Sequence, residues 1–405
     1  MTTANGTEGI LAGMRLVEVS AFVAAPLGGM TLAQMGAEVI RLDLPTGGLD
    51  YRRWPVTNDN VSLFWAGLNK AKRSVTIDFT KPEGRDLAQA LITAEGENAG
   101  MLLTNMPPKG WLSYESLCEK REDMIQLTIK GTRNGESAGD YTINPKVGIP
   151  SITGPEGHEG VVNHVLPAWD LITGQMAAVG LLAAERHRRL SGKGRHVSLA
   201  LEDVALASVA NLGFTAEAEL GQERERVGND LFGAFGRDFT TADGHRVMVV
   251  GLTGKQWSGL CKATSIVEKI NDLGEKLGVN LRLEGERFKA RNEIAALITP
   301  WVASRSLAEV ATAFDEHKVC WSKYQTVKEM VEHDPACSTA NPLFKKVDQY
   351  GVGEVLAPAV PLDFGTDQLS AQPAPRLGAD TDEVLSTVLG LASGEIGALH
   401  DKGLL

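Results

Sequence analysis

Cysteine is scarce in this chain. Its four cysteines in 405 residues (Cys118, Cys261, Cys320 and Cys337) are widely scattered and form no CxxC pair, so neither a disulfide scaffold nor a structural zinc site is expected. Long hydrophobic runs are missing too: the longest, 171–184, is too short to span a bilayer and carries Thr, Gly and Gln. The opening MTTANGTEGI has neither the charged start nor the apolar centre of a signal peptide, and a cytoplasmic protein with no membrane partner is expected. Positive charge is in deficit, with 40 Lys and Arg against 51 Asp and Glu, a net charge of −11. No basic stripe offsets that repulsion, so no nucleic-acid partner is expected. No GxGxxG follows the first strand, no GxxxxGK[ST] or GxSxG occurs, and HExxH is absent. The eight histidines are dispersed without metal-ligand spacing. These absences remove most common enzyme classes without naming one.

What remains is an ordinary globular composition, 43% apolar and 22% charged, with 44 glycines against 17 prolines. That balance suits an α/β protein with many tight turns, and the length predicts two domains. RLVEV (15–19) reads as a first strand, followed by a small-residue turn, a helix and a second strand, AEVIRL (37–42). SVTID (74–78), GMLLTN (100–105) and MIQLTIKG (124–131) read as further strands, with helices opened by Pro82 and over about 114–122. This alternation predicts a doubly wound parallel sheet with helices on both faces. From Val197 the pattern becomes a long amphipathic stretch. The spacing predicts a large domain over 1–200, a linker over 201–229 and a smaller α+β domain over 230–330. A proline-rich return over 331–405 then ends in helix. Within the small domain, GNDLFGAFGRDFTTADGHRVMVVGL reads as a glycine-rich loop and two strands joined at an Asp-Gly turn.

The chain is organised around VVNHVLPAWDLITGQMAAVGLLAAERHRRLSG (161–192). Leu171, Ile172, Met176, Val179, Leu182 and Ala183 recur at helical spacing, cations crowd the last turn, and Gly192 can supply the C-terminal cap. Asp170 stands where that helix begins, either as its N-cap, the commoner role, or as a functional anion. Other polar residues fall near strand ends, where open α/β sheets place ligands. Lys70, Lys72 and Arg73 form a basic cluster that is either solvated or a phosphate contact. Asn105 and Lys130 are each either a strand-end structural residue or a ligand contact. Trp169 reads as core, and His164 as a structural histidine or a second acid/base.

Taken together, several stretches resemble the family III CoA-transferases over nearly the whole chain. The family's opening strand, small-residue turn and second strand appear as LVEVSAFVAAPLGGMTLAQMGAEVIRL. Its N-x-x-KRS-x-x-x-D segment followed by PEG appears as NKAKRSVTIDFTKPEG, and its Asn-aromatic strand end as TNMPP, with Met106 where Phe is usual. Thr153-Gly154 matches the pair ahead of the nucleophile, WDLITG carries the family aspartate at Asp170, and RRLSGKGRHV stands for the closing RxxTGxGQ-V. SAFVAAPLGGMTLAQ, SLFWAGLNK, VVNHVLPAWD, GLLAAERHRRL and FGAFGRDF are most similar to the members that move CoA within one dicarboxylic acid, as isomerases.

The resemblance implies a large domain built from both chain ends, a smaller domain from the middle, and an interlocked homodimer. It implies Asp170 as the nucleophile and an acyl-CoA substrate, with no metal and no cofactor beyond that CoA. Carried over by position, CoA or substrate contacts fall on Val23, Ala24, Ile77, Asp78, Phe79, Thr80, Asn105, Met106 and Asp140, and Lys130 at its strand end is taken as a further contact. It implies attack of Asp170 on the thioester, a nearby helix N-terminus keeping the carboxylate charged. Intermolecular transfer between dicarboxylic acids uses the same residue. A 2-methylacyl-CoA racemase would need His164 or His158 as acid/base partner. Three departures stand out: Leu44 where some members place arginine, Gly228, Gly233 and Gly236 in place of a tetraglycine loop, and Asp140-Tyr141 in place of Tyr-Asp.

Overall fold

Short strands whose alternate residues are apolar on both sides need helices on both sides, and this chain supplies them. The computed structural model describes residues 9–365 and 369–405. Strand β1 (Arg15–Val19) leads into helix α1 (Ala24–Gln34), β2 (Glu38–Asp43), α2 (Leu63–Leu68), β3 (Arg73–Thr76), α3 (Pro82–Thr93), β4 (Met101–Thr104), α4 (Tyr114–Cys118), β5 (Ile125–Lys130) and α5 (Asp140–Lys146). After a short turn, α6 (Ile149–Ile152), come α7 (Ala168–Ser191), β6 (Arg195–Ala200) and α8 (Leu201–Asn211). The six strands form one sheet in the order β3-β2-β1-β4-β5-β6, every pair parallel. Leu16, Val39, Leu103 and Leu127 face one way, against α1 and α7. Val17, Ile40, Leu102 and Val75 face the other, against Leu91, Ile92 and Leu117. The period of two along each strand thus produces the doubly wound layering.

The chain divides into two compact units. The first comprises the residues up to Val147, Val165–Ala216 and Asp334–Leu405, and the second comprises Gly148–His164 and Glu217–His333. Helix α9 (Phe214–Glu219) is followed in the second unit by β7 (Phe235–Thr240) and β8 (Arg246–Gly251), antiparallel across the Asp243-Gly244 turn. Helices α10 (Gly254–Ala263), α11 (Val267–Leu277), α12 (Glu284–Lys289), α13 (Arg291–Ala303) and α14 (Leu307–Glu316) precede β9 (Cys320–Lys323), which completes a three-stranded antiparallel sheet; α15 (Val327–His333) follows. Phe235, Val249, Leu260, Ile294 and Phe314 form its core. The return segment belongs to the first unit. It holds a hairpin, β10 (Phe344–Gln349) and β11 (Gly353–Pro358), then α16 (Thr381–Leu389) and α17 (Ser393–Asp401).

Three expectations are corrected. RHVSLA is not the start of a long amphipathic stretch but the sixth parallel strand, with Val197 and Leu199 packed on the core of the α1/α7 face. Its period of two is hidden by the helix that follows without a break. For the same reason 201–229 is no free linker: α8 packs on α7 within the first unit. Residues 148–164, read as part of the large domain, sit in the second unit because Arg226 gathers them. Its guanidinium donates to the carbonyls of Thr153 (3.0 Å), Pro150 (3.4 Å), His158 and Gly160.

Candidate active site

In a parallel sheet, adjacent strands whose connections leave in opposite directions open a crevice at their carboxyl ends. Here that point lies between β1 and β4. The turn after β1 is zipped to the end of β4 by a double amide bond. The Ala21 N–H donates to Asn105 Oδ1 (3.0 Å) and Asn105 Nδ2 donates to the Ala21 carbonyl (2.8 Å). Phe22 follows with φ of +70°, a strained value for a side chain of its size. Val23 and Ala24, both nearly buried, then open α1.

Helix α7 is drawn to this crevice by two glycines. A Cβ on Gly28 would lie 2.9 Å from the Gly174 carbonyl oxygen, and one on Gly174 would lie 2.8 Å from that of Ala24. The helices cross backbone to backbone, and Gln175 Nε2 reaches Thr31 Oγ1 at 3.3 Å. The aspartate-to-glycine spacing in WDLITG thereby acquires a reason: Gly174 docks at the first turn of α1, and Asp170 sits one helical turn away from that contact.

The N-cap reading of Asp170 is overturned. Pro167 occupies the cap position and Asp170 falls in the first turn. The capping carboxylate is that of Asp140, from the start of α5, whose Oδ2 accepts the N–H groups of Trp169 (2.7 Å) and Asp170 (3.3 Å). A cap supplied 30 residues away leaves the Asp170 carboxylate free of backbone duty. Burial raises the pKa of that carboxyl, the neighbouring Asp140 raises it further, and Arg53 pulls it down, with a net value pushed up to about 6. The pKa rises although the residue stands at a helix end, because desolvation and a like charge dominate there. At neutral pH the group is still mostly ionised and more basic than an ordinary carboxylate, as suits a nucleophile.

The other sequence candidates separate. Val23, Ala24 and Asn105 lie at the carboxyl ends of β1 and β4, and Asp140 meets Asp170 at the amino end of α7. Met106 follows Asn105 and packs partly in the core. Ile77–Thr80 lie two strands away, at the end of β3. There the Ile77 side chain is wholly buried, and the Asp78 N–H donates to the Leu404 carbonyl (2.7 Å). Asp78 also accepts from the Thr80 N–H (3.2 Å), and Phe79 packs on Trp111. Lys130 closes β5, and its charge bears on His196. Trp169 is buried, as expected, and its indole donates to Asn144 Oδ1 (3.1 Å). His158 and His164, together with Gly228, Gly233 and Gly236, belong to the second unit.

The basic cluster is largely buried and already bonded within the protein. Lys72 is buried against Glu18 (2.9 Å), and burial lowers its pKa to about 8. Arg73 pairs with Glu38 (2.8 Å) and Glu383 (3.1 Å). Sequence reasoning missed the network to which Lys72 belongs. Arg41, fully buried, bonds Glu18 (3.2 Å), Asp43 (3.0 Å) and Asp50 (3.0 Å). The signal was present: Glu18 and Arg41 interrupt LVEV and VIRL, two otherwise apolar strands. A separate cleft of about 580 Å³, beside Met14, Arg15, Glu38 and Arg73, opens at the amino ends of the strands, opposite Asp170. Among the described residues no group of three or more His, Cys, Asp or Glu is placed to hold a metal ion, and no helix is long and apolar enough to cross a membrane.

The chain is 57% identical over 401 residues to the 2-methylfumaryl-CoA isomerase of Chloroflexus aurantiacus, covering 98% of each chain. It is 26% identical over 418 residues to the succinyl-CoA–L-malate CoA-transferase alpha subunit of the same organism, covering 100% of this chain and 95% of the other. A CAIB/BAIF family protein from Brucella suis has the same fold, with a TM-score of 0.77 at 21% identity over 94% of this chain and 100% of its own. The model of the CoA-transferase family III matches residues 11–381, and the chain is an enzyme of that family.

Proposed function

We propose that this enzyme moves CoA within one dicarboxylic acid, converting 2-methylfumaryl-CoA, the C1 thioester, to 3-methylfumaryl-CoA, the C4 thioester. The observation that carries the chemistry is Asp170 itself: a half-buried carboxyl raised to about 6, relieved of capping by Asp140, beside the crevice at β1 and β4. The 57% identity to an isomerase over 98% of both chains supports the choice of substrate.

The steps follow from bond order. A carboxylate oxygen of Asp170 adds to the C1 carbonyl, the C–S bond breaks, and the electron pair leaves on sulfur, giving an acyl-aspartyl anhydride and CoA thiolate. The trans double bond keeps C1 and C4 apart, so no cyclic anhydride can pass the activation directly. The thiolate therefore attacks the aspartyl carbonyl, forming an aspartyl-CoA thioester and freeing the dicarboxylate at both ends. The acid turns over, its C4 carboxylate attacks the aspartyl thioester, and the expelled thiolate attacks C4. No proton or electron is gained or lost. Val23 and Ala24 at the amino end of α1, Asn105 and Met106 at β4, Ile77–Thr80, Lys130 and Asp140 are the proposed CoA and substrate contacts. The backbone N–H groups at the amino end of α1 suit an anionic ligand.

We also propose a homodimer, interlocked as the family resemblance implies and built from the two units described. Exposed Ile172, Met176 and Val179 on α7, with Leu206 and Leu212 at α8, form an apolar surface in the first unit that suits a second copy. Light scattering on the purified protein tests it, and a monomer at micromolar concentration overturns it.

The test of function is conversion of 2-methylfumaryl-CoA with isotope-labelled free 2-methylfumarate present, followed by mass spectrometry. C4 thioester without label establishes intramolecular transfer. Label entering in step with turnover makes it an intermolecular transferase instead.

A further inference from the structure

A dicarboxylate that is released from covalent attachment and must turn over needs a cation near Asp170, one not already neutralised by the protein. Lys70, Lys72, Arg41 and Arg73 are already committed to partners within the protein. Arg53 is different. Among the described residues no carboxylate pairs with its guanidinium and no side-chain hydrogen bond occupies it, and it is exposed. It lies over two rings instead, 5.7 Å from the centroid of Phe22 and 5.1 Å from that of Phe64. Phe22 is the strained residue immediately before the turn that opens α1.

The backbone beneath Arg53 is anchored firmly. Its N–H donates to the Asp50 carbonyl (3.1 Å), and its carbonyl accepts from Ser62 Oγ (2.5 Å), which also caps α2 at Trp65 (3.0 Å). Asp50 is wholly buried on Arg41 (3.0 Å), and Tyr51 packs edge-on to Trp65. The buried charge network, which the chemistry at Asp170 does not use, thus fixes the loop that presents Arg53. A guanidinium that lies over rings instead of against a carboxylate keeps its N–H groups free for the two oxygens of a carboxylate. Its charge reaches Asp170, where it is the cation that pulls the carboxyl down.

We infer that Arg53 is a specificity-determining residue that takes the free carboxylate of a dicarboxylic acyl group bound at Asp170. The inference rests on Asp170 receiving the acyl group, as proposed above. It explains retention as well: whichever end is not reacting sits on Arg53, so the acid turns over between two fixed points without leaving.

The experiment compares wild type, Arg53→Gln and Arg53→Lys with two thioesters, 2-methylfumaryl-CoA and (E)-2-methylbut-2-enoyl-CoA, in which a methyl replaces the distal carboxylate. The readout is the rate at which hydroxylamine traps activated Asp170 as its hydroxamate, followed by peptide mass spectrometry. Arg53→Gln is expected to slow trapping from the dicarboxylic thioester roughly 10- to 100-fold while changing the methyl analogue less than about twofold. Arg53→Lys, a point charge without the fork, should fall between. Arg53→Gln should also let labelled free 2-methylfumarate enter the product. Equal slowing of both thioesters, or no change in either, overturns the inference while leaving Asp170 chemistry intact. Wild type that traps selectively but transfers CoA only to added acid overturns the isomerase reading and upholds Arg53.

Discussion

Asp170→Asn should abolish turnover and make the protein more stable. Holding the carboxyl at about 6 rather than its ordinary 3.8 means that the folded state strains against its charge. By linkage that difference corresponds to about 3 kcal/mol above pH 6. Partial exposure and loss of the favourable helix-end position reduce it to about 1–2 kcal/mol. The sign is set by the raised value. Wild type has its full stability from this group below about 3.8 and loses it as pH rises through 6, whereas Asn has no charge to lose. The variant's advantage should therefore emerge between pH 4 and 6 and stay level above. At about 2–4 °C per kcal/mol, calorimetric scans at pH 7.5 and pH 4 resolve it. An Asn variant less stable than wild type at pH 7.5, or an advantage identical at both pH values, refutes the claim that Asp170 is held charged at a cost to the fold.

Further outcomes follow from the same contacts. For wild type, kcat/KM should fall on the acid side with a midpoint near pH 6, since only ionised Asp170 attacks. Asp140→Asn keeps an oxygen for the α7 cap but removes the like charge, so that midpoint should move to lower pH; Asp140→Ala should in addition cost about 1 kcal/mol of stability, read by urea unfolding. Gly174→Ala pushes a methyl against the Ala24 carbonyl and should cost about 1–3 kcal/mol and lower kcat by displacing Asp170, with a wild-type kcat arguing that the crossing does not position it. Arg41→Met strands Asp43 and Asp50 in the core, leaving Glu18 to Lys72, and should destabilise the first unit by about 3–5 kcal/mol in the same assay.

The sequence by itself determined whatever is local or periodic. Alternating strands with helices between them prescribe the parallel sheet, because apolar residues on both sides of a strand demand two covering layers. Helical spacing from Leu171 and Gly192 at the end delimit α7 within a few residues, and the WDLITG match singles out Asp170. Where a pattern is cut short, the reading failed: β6 runs straight into α8, so its alternation of two vanished into the helical period.

Tertiary structure decided what depends on residues distant in the chain. Asp170 looked like a cap because nothing adjacent announces that Asp140 fills that role from 30 residues upstream. Lys72 looked solvated because a lysine's burial depends on a partner, and its partner, Glu18, stands 54 residues away on another strand. No periodic pattern singles out Arg53; Phe22 and Phe64 meet it only in the fold, where the Arg41–Asp50 pair ties its loop down. Periodicity reports which face a side chain turns to. Charge state and chemical role depend on what meets that face, and the fold alone brings those groups together.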